Sequence, residues 1–220
     1  RAALCSGRFG YHNGAVGHGG LPADMRLTGI TRDFQDPRDR HNFFNLFRQA
    51  GMYTASISPF AERHSSYWFT AGFNEVYNTG KCGGESAEEI LPVALDWVKR
   101  NAASRENWFL HINFWDAHTP YRAPAEFGNP FENEPIPDWI TDEVLAYHDH
   151  LTGPHGAMEI GMYTDQENPK LPRHPGKVTD RAGLHRFFDG YDCGVRYMDG
   201  MIGKLLDALK AEGVYDDLAI

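Results

Sequence analysis

The run Trp108-Phe109-Leu110-His111-Ile112-Asn113-Phe114 constrains this chain more than any other stretch. It is almost continuously apolar, without the alternation of a strand that shows one face to water. Such a run suits a strand covered on both faces, as in a parallel sheet between layers of helices. A second signal agrees. Phe43, Leu46, Phe47 and Ala50 recur at helical spacing, and Gly51 closes that helix. Tyr53-Thr54-Ala55-Ser56-Ile57 follows as a β-rich run bounded by Ser58-Pro59. Helix, glycine, short strand is half of a βαβ unit. Asp36 and Pro37 read as the N-cap and first residue of the helix.

The rest of the chain fits an α/β class. Residues 58–72 read as a loop rich in aromatic and basic side chains, and Asn74–Tyr77 as a short edge strand. Ser86-Ala87-Glu88-Glu89 is a capping box. Behind it, Leu91, Ala94, Leu95 and Val98 form one helical stripe, with Pro92 marking a kink or a late start. Residues 122–178 are Pro-rich and irregular, with one helix near Thr141–Leu151. So long a stretch reads as a loop-rich functional insertion. Thr179 is the expected cap of the longest helix, whose apolar face runs from Leu184 through Phe187, Tyr191 and Val195 to Leu209. Glycines at 183, 190, 194, 200 and 203 predict close packing on a sheet. Gly213 ends the helix, and Asp217–Ile220 read as the start of another strand. A chain that opens in a helix and closes in a strand is expected to be an internal segment.

Composition excludes several function classes. The 220 residues, 41% hydrophobic, suffice for one sizeable core or part of a larger one. A formal charge of −9 argues against a nucleic-acid partner, and no run of 18 apolar residues exists to span a membrane. Cys5, Cys82 and Cys193 are too few and too scattered for a disulfide framework or a zinc site. His12, Asn13 and His18 lie among glycines that read as turns rather than as a ligand set.

Two stretches carry candidate chemistry. Trp115-Asp116-Ala117-His118-Thr119-Pro120-Tyr121 follows the apolar strand at its carboxyl end, where ligands gather in open α/β sheets. His118 is the candidate there, and Asp116 a turn-former. At the start, Arg1-Ala2-Ala3-Leu4-Cys5-Ser6-Gly7-Arg8 reads as a short helical turn stopped by Gly7. Arg1 then sits at the positive end of a helix. Two positive features at one spot suit a bound anion, and a solvated terminal arginine is the alternative.

Those eight residues resemble the second half of the sulfatase signature, Cys-x-Pro-x-Arg-x-x-x-x-(Thr/Ser)-Gly-Arg, with Arg1, Ser6, Gly7 and Arg8 on its later positions. Trp115–Tyr121 are similar to the family's (Asp)-x-His-x-Pro-(Phe/Tyr) segment, and Tyr197-Met198-Asp199-Gly200-Met201-Ile202-Gly203-Lys204-Leu205-Leu206 to its Tyr-x-Asp-x-x-Ile-Gly-x-Leu-Leu helix. The resemblance implies an alkaline-phosphatase-like three-layer αβα sandwich with a mostly parallel sheet, incomplete at both ends, and residues 1–220 as part of one catalytic domain. It implies hydrolysis of a sulfate monoester by a formylglycine nucleophile four residues before Arg1. Arg1 would steady that nucleophile, and His118 would bind sulfate and help the alcohol leave. The family's Gly-Lys-Trp-His is replaced here by Ser58-Pro59-Phe60-Ala61; Arg63 and His64 just beyond either supply the missing cation and imidazole or are ordinary loop residues. A divalent metal, Ca²⁺ or Mg²⁺, would be held by ligands outside the segment. Trp115 and Tyr121, with Tyr67 and Trp68, either stack on a sugar, making a carbohydrate sulfate the first substrate, or pack as core. A phosphodiesterase or phosphonate hydrolase of the same fold, and a catalytically inactive binding domain, are the alternatives.

Overall fold

The computed structural model describes residues 1–13, 15, 17, 42–148, 169–176 and 178–220. These fall into two units, one made of residues 1–114 and 204–220 and the other of residues 115–203.

The first unit is built on three parallel strands, β1 (Tyr53–Ile57), β2 (Glu75–Tyr77) and β3 (Trp108–Ile112), in the order β2-β1-β3. Helix α1 is Ala2–Ser6, α2 is Gly10–Asn13 and α3 is Phe43–Gln49. Helix α4 is the single turn Phe60–Arg63, and α5 is Ala87–Asn101. Side chains alternate across a strand, so neighbours in register share a face. Ser56 pairs with His111, and the rings of Phe109 and His111 meet Phe44 of α3. Trp108, one residue out of phase, meets Trp97 of α5 at 5.3 Å between ring centroids. Helices α3 and α5 therefore cover opposite faces of the sheet, the αβα layering expected.

Burial places β1 rather than β3 at the centre. Thr54, Ala55, Ser56 and Ile57 are all buried, whereas every residue of β3 is half-buried. The apolar run at 108–114 predicted full burial. Instead β3 has only β1 as a described partner, and its side chains keep some exposure. Phe44, 1% exposed, anchors the α3 layer among Phe69, Phe73 and Phe109; burying such a ring contributes about 1.5–3 kcal/mol. On the other face Glu75 ties β1, β2 and α5 together. It accepts from Tyr53 Oη at 2.7 Å, Tyr77 Oη at 2.9 Å and Trp97 Nε1 at 2.9 Å. Burial pushes the Glu75 carboxyl up, but the hydrogen bonds outweigh it and hold the group below its usual range.

Several boundaries differ from the sequence reading. The helix start expected at Asp36-Pro37 lies outside the described residues. Asn42 is extended (φ −72°, ψ 126°) and caps α3 through its Oδ1, which accepts from the Phe44 N–H at 3.0 Å. Helix α5 begins directly after the Ser86 capping box, so Pro92 does not delay it. Residues 58–72 are not an open loop: α4 and a 3₁₀ turn at Tyr67–Thr70 order them, and Phe60, Trp68 and Phe69 are buried. At the end of the chain, Tyr215–Asp217 form a 3₁₀ turn and Leu218 is extended. The strand read at Asp217–Ile220 joins no ladder among the described residues, and a lone extended segment is not a strand.

The second unit contains α6 (Asp142–His148) and most of α7 (Arg181–Ala211). The expected helix at Thr141–Leu151 is seen through His148; residues 149–151 lie outside the described set. Asp180, not Thr179, caps α7: its Oδ1 accepts from the Gly183 N–H at 2.7 Å. Gly190 and Gly194 do allow close approach, but to the Arg173 carbonyl with the Tyr121 ring and to the Asp116 carbonyl, not to a sheet. Gly200 and Gly203 face open space. Tyr191 and Val195, expected on the apolar face, are exposed, while Cys193, Tyr197 and Met201 are buried. The irregular chain is pinned by Arg173, which donates to the carbonyls of Ala123, Pro124 and Gly128 at 2.6–2.8 Å.

Candidate active site

The carboxyl end of β1 is where the first unit concentrates its reactive groups. Ser58 extends the strand by one bond, donating its N–H to the Tyr77 carbonyl at 3.0 Å. Its hydroxyl accepts from the Phe60 N–H at 3.1 Å and so starts α4. The turn ends in a left-handed Ser65 (φ 51°), with the Ser66 N–H returning to the Ala61 carbonyl at 2.9 Å. That six-to-one bond is the mark of a Schellman stop, a place where glycine is usual. Between start and stop the turn presents Phe60, Arg63 and His64.

Arg1 caps α1 with its carbonyl, which accepts from the Cys5 N–H at 2.8 Å. Its guanidinium carbon lies 4.5 Å from the centroid of the Phe60 ring. The same ring sits 4.9 Å from that of His64, which is 7% exposed. Phe60 is thus a floor shared by a cation and an imidazole. The Arg1 residue reaches solvent, yet loss of hydration around its head holds the guanidinium below its usual value. Cys5, buried on the next turn, has its thiol pushed up to about 11 by burial and is inert packing.

His111 belongs to the same neighbourhood. Its ring stands 5.2 Å from Phe69, which stands 4.8 Å from Phe60. Its Nδ1 lies 3.1 Å from Ser56 Oγ on β1. Burial, and then the Arg1 charge, push His111 down to about 4, so its ring is neutral near pH 7.

Arg63 engages a different partner. Its Nη1 donates to the Cys82 carbonyl at 3.3 Å, and its stem packs on Gly83 so closely that a Cβ there would collide with it. Of the four residues expected to act, the structure brings Arg1 and His64 onto one ring and joins Arg63 to the 82–83 turn.

The second unit holds the others. His118 Nδ1 lies 2.6 Å from the Thr119 carbonyl, which can only accept, so the ring proton sits on Nδ1 and the lone pair of the neutral ring on Nε2. The segment is fastened by Arg122, whose Nη1 donates to the Trp115 and His118 carbonyls at 3.1 and 3.0 Å. Trp115 and Tyr121 are each 3% exposed. Tyr121 packs against Phe187, Tyr191 and His174, and burial pushes its hydroxyl well above the usual range. Trp68 is also buried; only Tyr67 of the four aromatics keeps a large exposed surface.

A family profile for sulfatases matches residues 1–220 from end to end. The chain belongs to the sulfatase family. A choline-sulfatase from Rhizobium meliloti (strain 1021) is 25% identical over 201 residues, which is 90% of this chain and 33% of that protein. The chain therefore spans about a third of the length of this curated relative. No solved structure matches it.

The sequence motif pointed to Arg1 but not to Phe60 or His111. Phe60 stands where the family motif has its tryptophan, and nothing local marks that ring as the one Arg1 reaches. His111 hides in an apolar run, and its one visible cue is that a polar side chain in such a strand must find a partner. Among the described residues no group of three or more His, Cys, Asp or Glu side chains comes together to hold a metal. No helix of the described residues is long and apolar enough to cross a membrane.

Proposed function

We propose that the intact protein hydrolyses a sulfate monoester and that Arg1 and His64, presented on the Phe60 ring, bind the oxyanion. The observation that carries this reading is the Arg1 guanidinium 4.5 Å from the Phe60 ring, with the buried His64 imidazole against that same ring, at the carboxyl end of β1. A hydrated formylglycine four residues before Arg1 would supply the nucleophile for sulfur and, by reforming its aldehyde, let sulfate leave. Ca²⁺ or Mg²⁺ would be held by ligands outside residues 1–220 and would polarise the attacking group.

The chain's own residues then divide the work. Arg1 offers charge-assisted hydrogen bonds to the developing negative oxygen, which are stronger than neutral ones. His64 contacts the sulfuryl oxygens. His118, protonated on both ring nitrogens for this step, gives its Nε2 proton to the departing alcohol while Nδ1–H stays on the Thr119 carbonyl, help worth roughly 10²–10⁴-fold. Arg63 takes the place of the family lysine; its bond to Cys82 would have to yield or be shared. A saccharide sulfate remains the first ester to try, with exposed Tyr67 as its stacking ring, and choline sulfate, the ester in the relative's name, the second.

Kinetics of the full-length protein on 4-nitrophenyl sulfate and 4-nitrophenyl phosphate test the reading. A higher kcat/KM for the sulfate is expected. Preference for the phosphate ester would favour a phosphodiesterase-type enzyme, and no turnover of either would favour an inactive binding domain.

A further inference from the structure

The opposite end of the same sheet carries a second cationic cavity. A pocket of about 520 Å³ opens at the amino ends of the strands, and its lining includes Arg48, Tyr53, Asn74, Ser104, Arg105 and the one carboxylate Glu106. Parallel strands bring all three of their amino ends to one side, so residues 51–53, 74 and 104–107 converge there although they are far apart in sequence.

Two arginines line this space, and the guanidinium of each is held by a buried amide. Arg48 Nη2 donates to Asn45 Oδ1 at 3.2 Å, and Arg105 Nε donates to Asn101 Oδ1 at 2.9 Å. Asn45 is 8% and Asn101 5% exposed, so neither tether swings freely. Arg105 also lies 3.5 Å over the Tyr53 ring, whose hydroxyl is fixed on Glu75. Neither arginine forms an ion pair among the described residues, in a chain whose formal charge is −9. Ordering an arginine side chain costs rotamer entropy that binding must otherwise supply; here the tethers have already met that cost. Asn74, Ser104 and Asn107 add polar groups around the cations.

We infer that this pocket is a binding site for a tetrahedral oxyanion, a sulfate or phosphate group, separate from the site at the carboxyl end of β1. Five strand residues, roughly 16 Å at 3.3 Å each, separate the two ends, too far for one small ester to touch both. The volume lies within the range of small-molecule pockets and leaves room for a sugar-sized group beside the anion. The site does not depend on the hydrolytic reading, since it uses none of its residues.

Equilibrium dialysis of the full-length protein with radiolabelled inorganic phosphate and sulfate tests it. The wild type should bind one oxyanion that the Arg48→Gln/Arg105→Gln variant loses by at least about tenfold in affinity, the worth of a charge-assisted hydrogen bond. Arg1→Gln should retain that equivalent, and the double variant should retain its ester hydrolysis. Arg48→Gln alone, which disturbs only the exposed end of α3, covers the case in which the double variant fails to fold. Displacement of the label by glucose 6-phosphate or glucose 6-sulfate assigns the anion to an ester; phosphate binding without displacement assigns it to the free ion. Equal binding by wild type and variants, or binding only far above millimolar anion, overturns the inference. Absence of ester turnover would sink the proposed activity and leave this count unchanged.

Discussion

The two ends of the central sheet hold their cations in different ways. At the carboxyl end Arg1 rests on an aromatic floor, with buried His64 on the same ring and neutral His111 behind it. At the amino end Arg48 and Arg105 hang from asparagine amides at an open pocket, and Arg105 also lies over the Tyr53 ring. An aromatic floor takes water from one side of a charge and strengthens its pull on a reacting anion. Arg105 has such a ring beneath it too, so the contrast lies in the histidines near Arg1 and in the amide tethers that fix Arg48 and Arg105.

The largest expected effect lies at the carboxyl end. Arg1→Gln in the full-length protein should lower kcat/KM for 4-nitrophenyl sulfate by about 10²–10³, the usual cost of losing one oxyanion donor. Arg105→Gln should leave the same parameter within error. Comparable losses in both variants would erase the contrast between the two ends.

Next comes His111. Its folded value of about 4 lies below the ordinary 6.5, so between these the unfolded chain binds the extra proton. Stability from this group is complete above about pH 6.5 and falls as pH drops towards 4, by roughly 2–3 kcal/mol in total. Urea unfolding at pH 7.5 and 4.5 should show that loss, and His111→Gln should shrink it. A variant with the wild-type pH slope would mean that His111 is not the group kept neutral.

Phe60→Leu keeps apolar volume and removes the ring under the cation. The cation–π contact, about 0.5–2 kcal/mol, translates to roughly a 2- to 30-fold fall in kcat/KM, and Phe60→Tyr should restore most of it. The smallest effect is at Ser65. Its left-handed backbone costs an L-residue about 1 kcal/mol, so Ser65→Gly should raise stability by up to that amount in urea unfolding.

Much of this was readable in the residues. The Ser86 capping box, the β1 run and the Gly7 stop each depend on neighbours a few positions away, and each lies where sequence spacing puts it. What failed depended on partners far along the chain. Nothing local says that β3 has a single described neighbour, that Trp115 and Tyr121 are packed inside, or that Gly200 meets nothing. Asp180 caps α7 where the sequence pointed to Thr179, because both residue types cap well and only the path of the chain selects one. Arg1 was visible as a motif residue, but its ring was not, because Phe60 comes near it only through the fold.

The central claim is that an oxyanion sits against Arg1 and His64 at the carboxyl end of β1. A crystal structure of the full-length protein soaked with inorganic sulfate tests it most directly. A sulfate within hydrogen-bond distance of the Arg1 guanidinium and the His64 ring, with Phe60 beneath them, is the predicted result. A guanidinium turned away from a sulfate bound elsewhere on the sheet's carboxyl edge would contradict it.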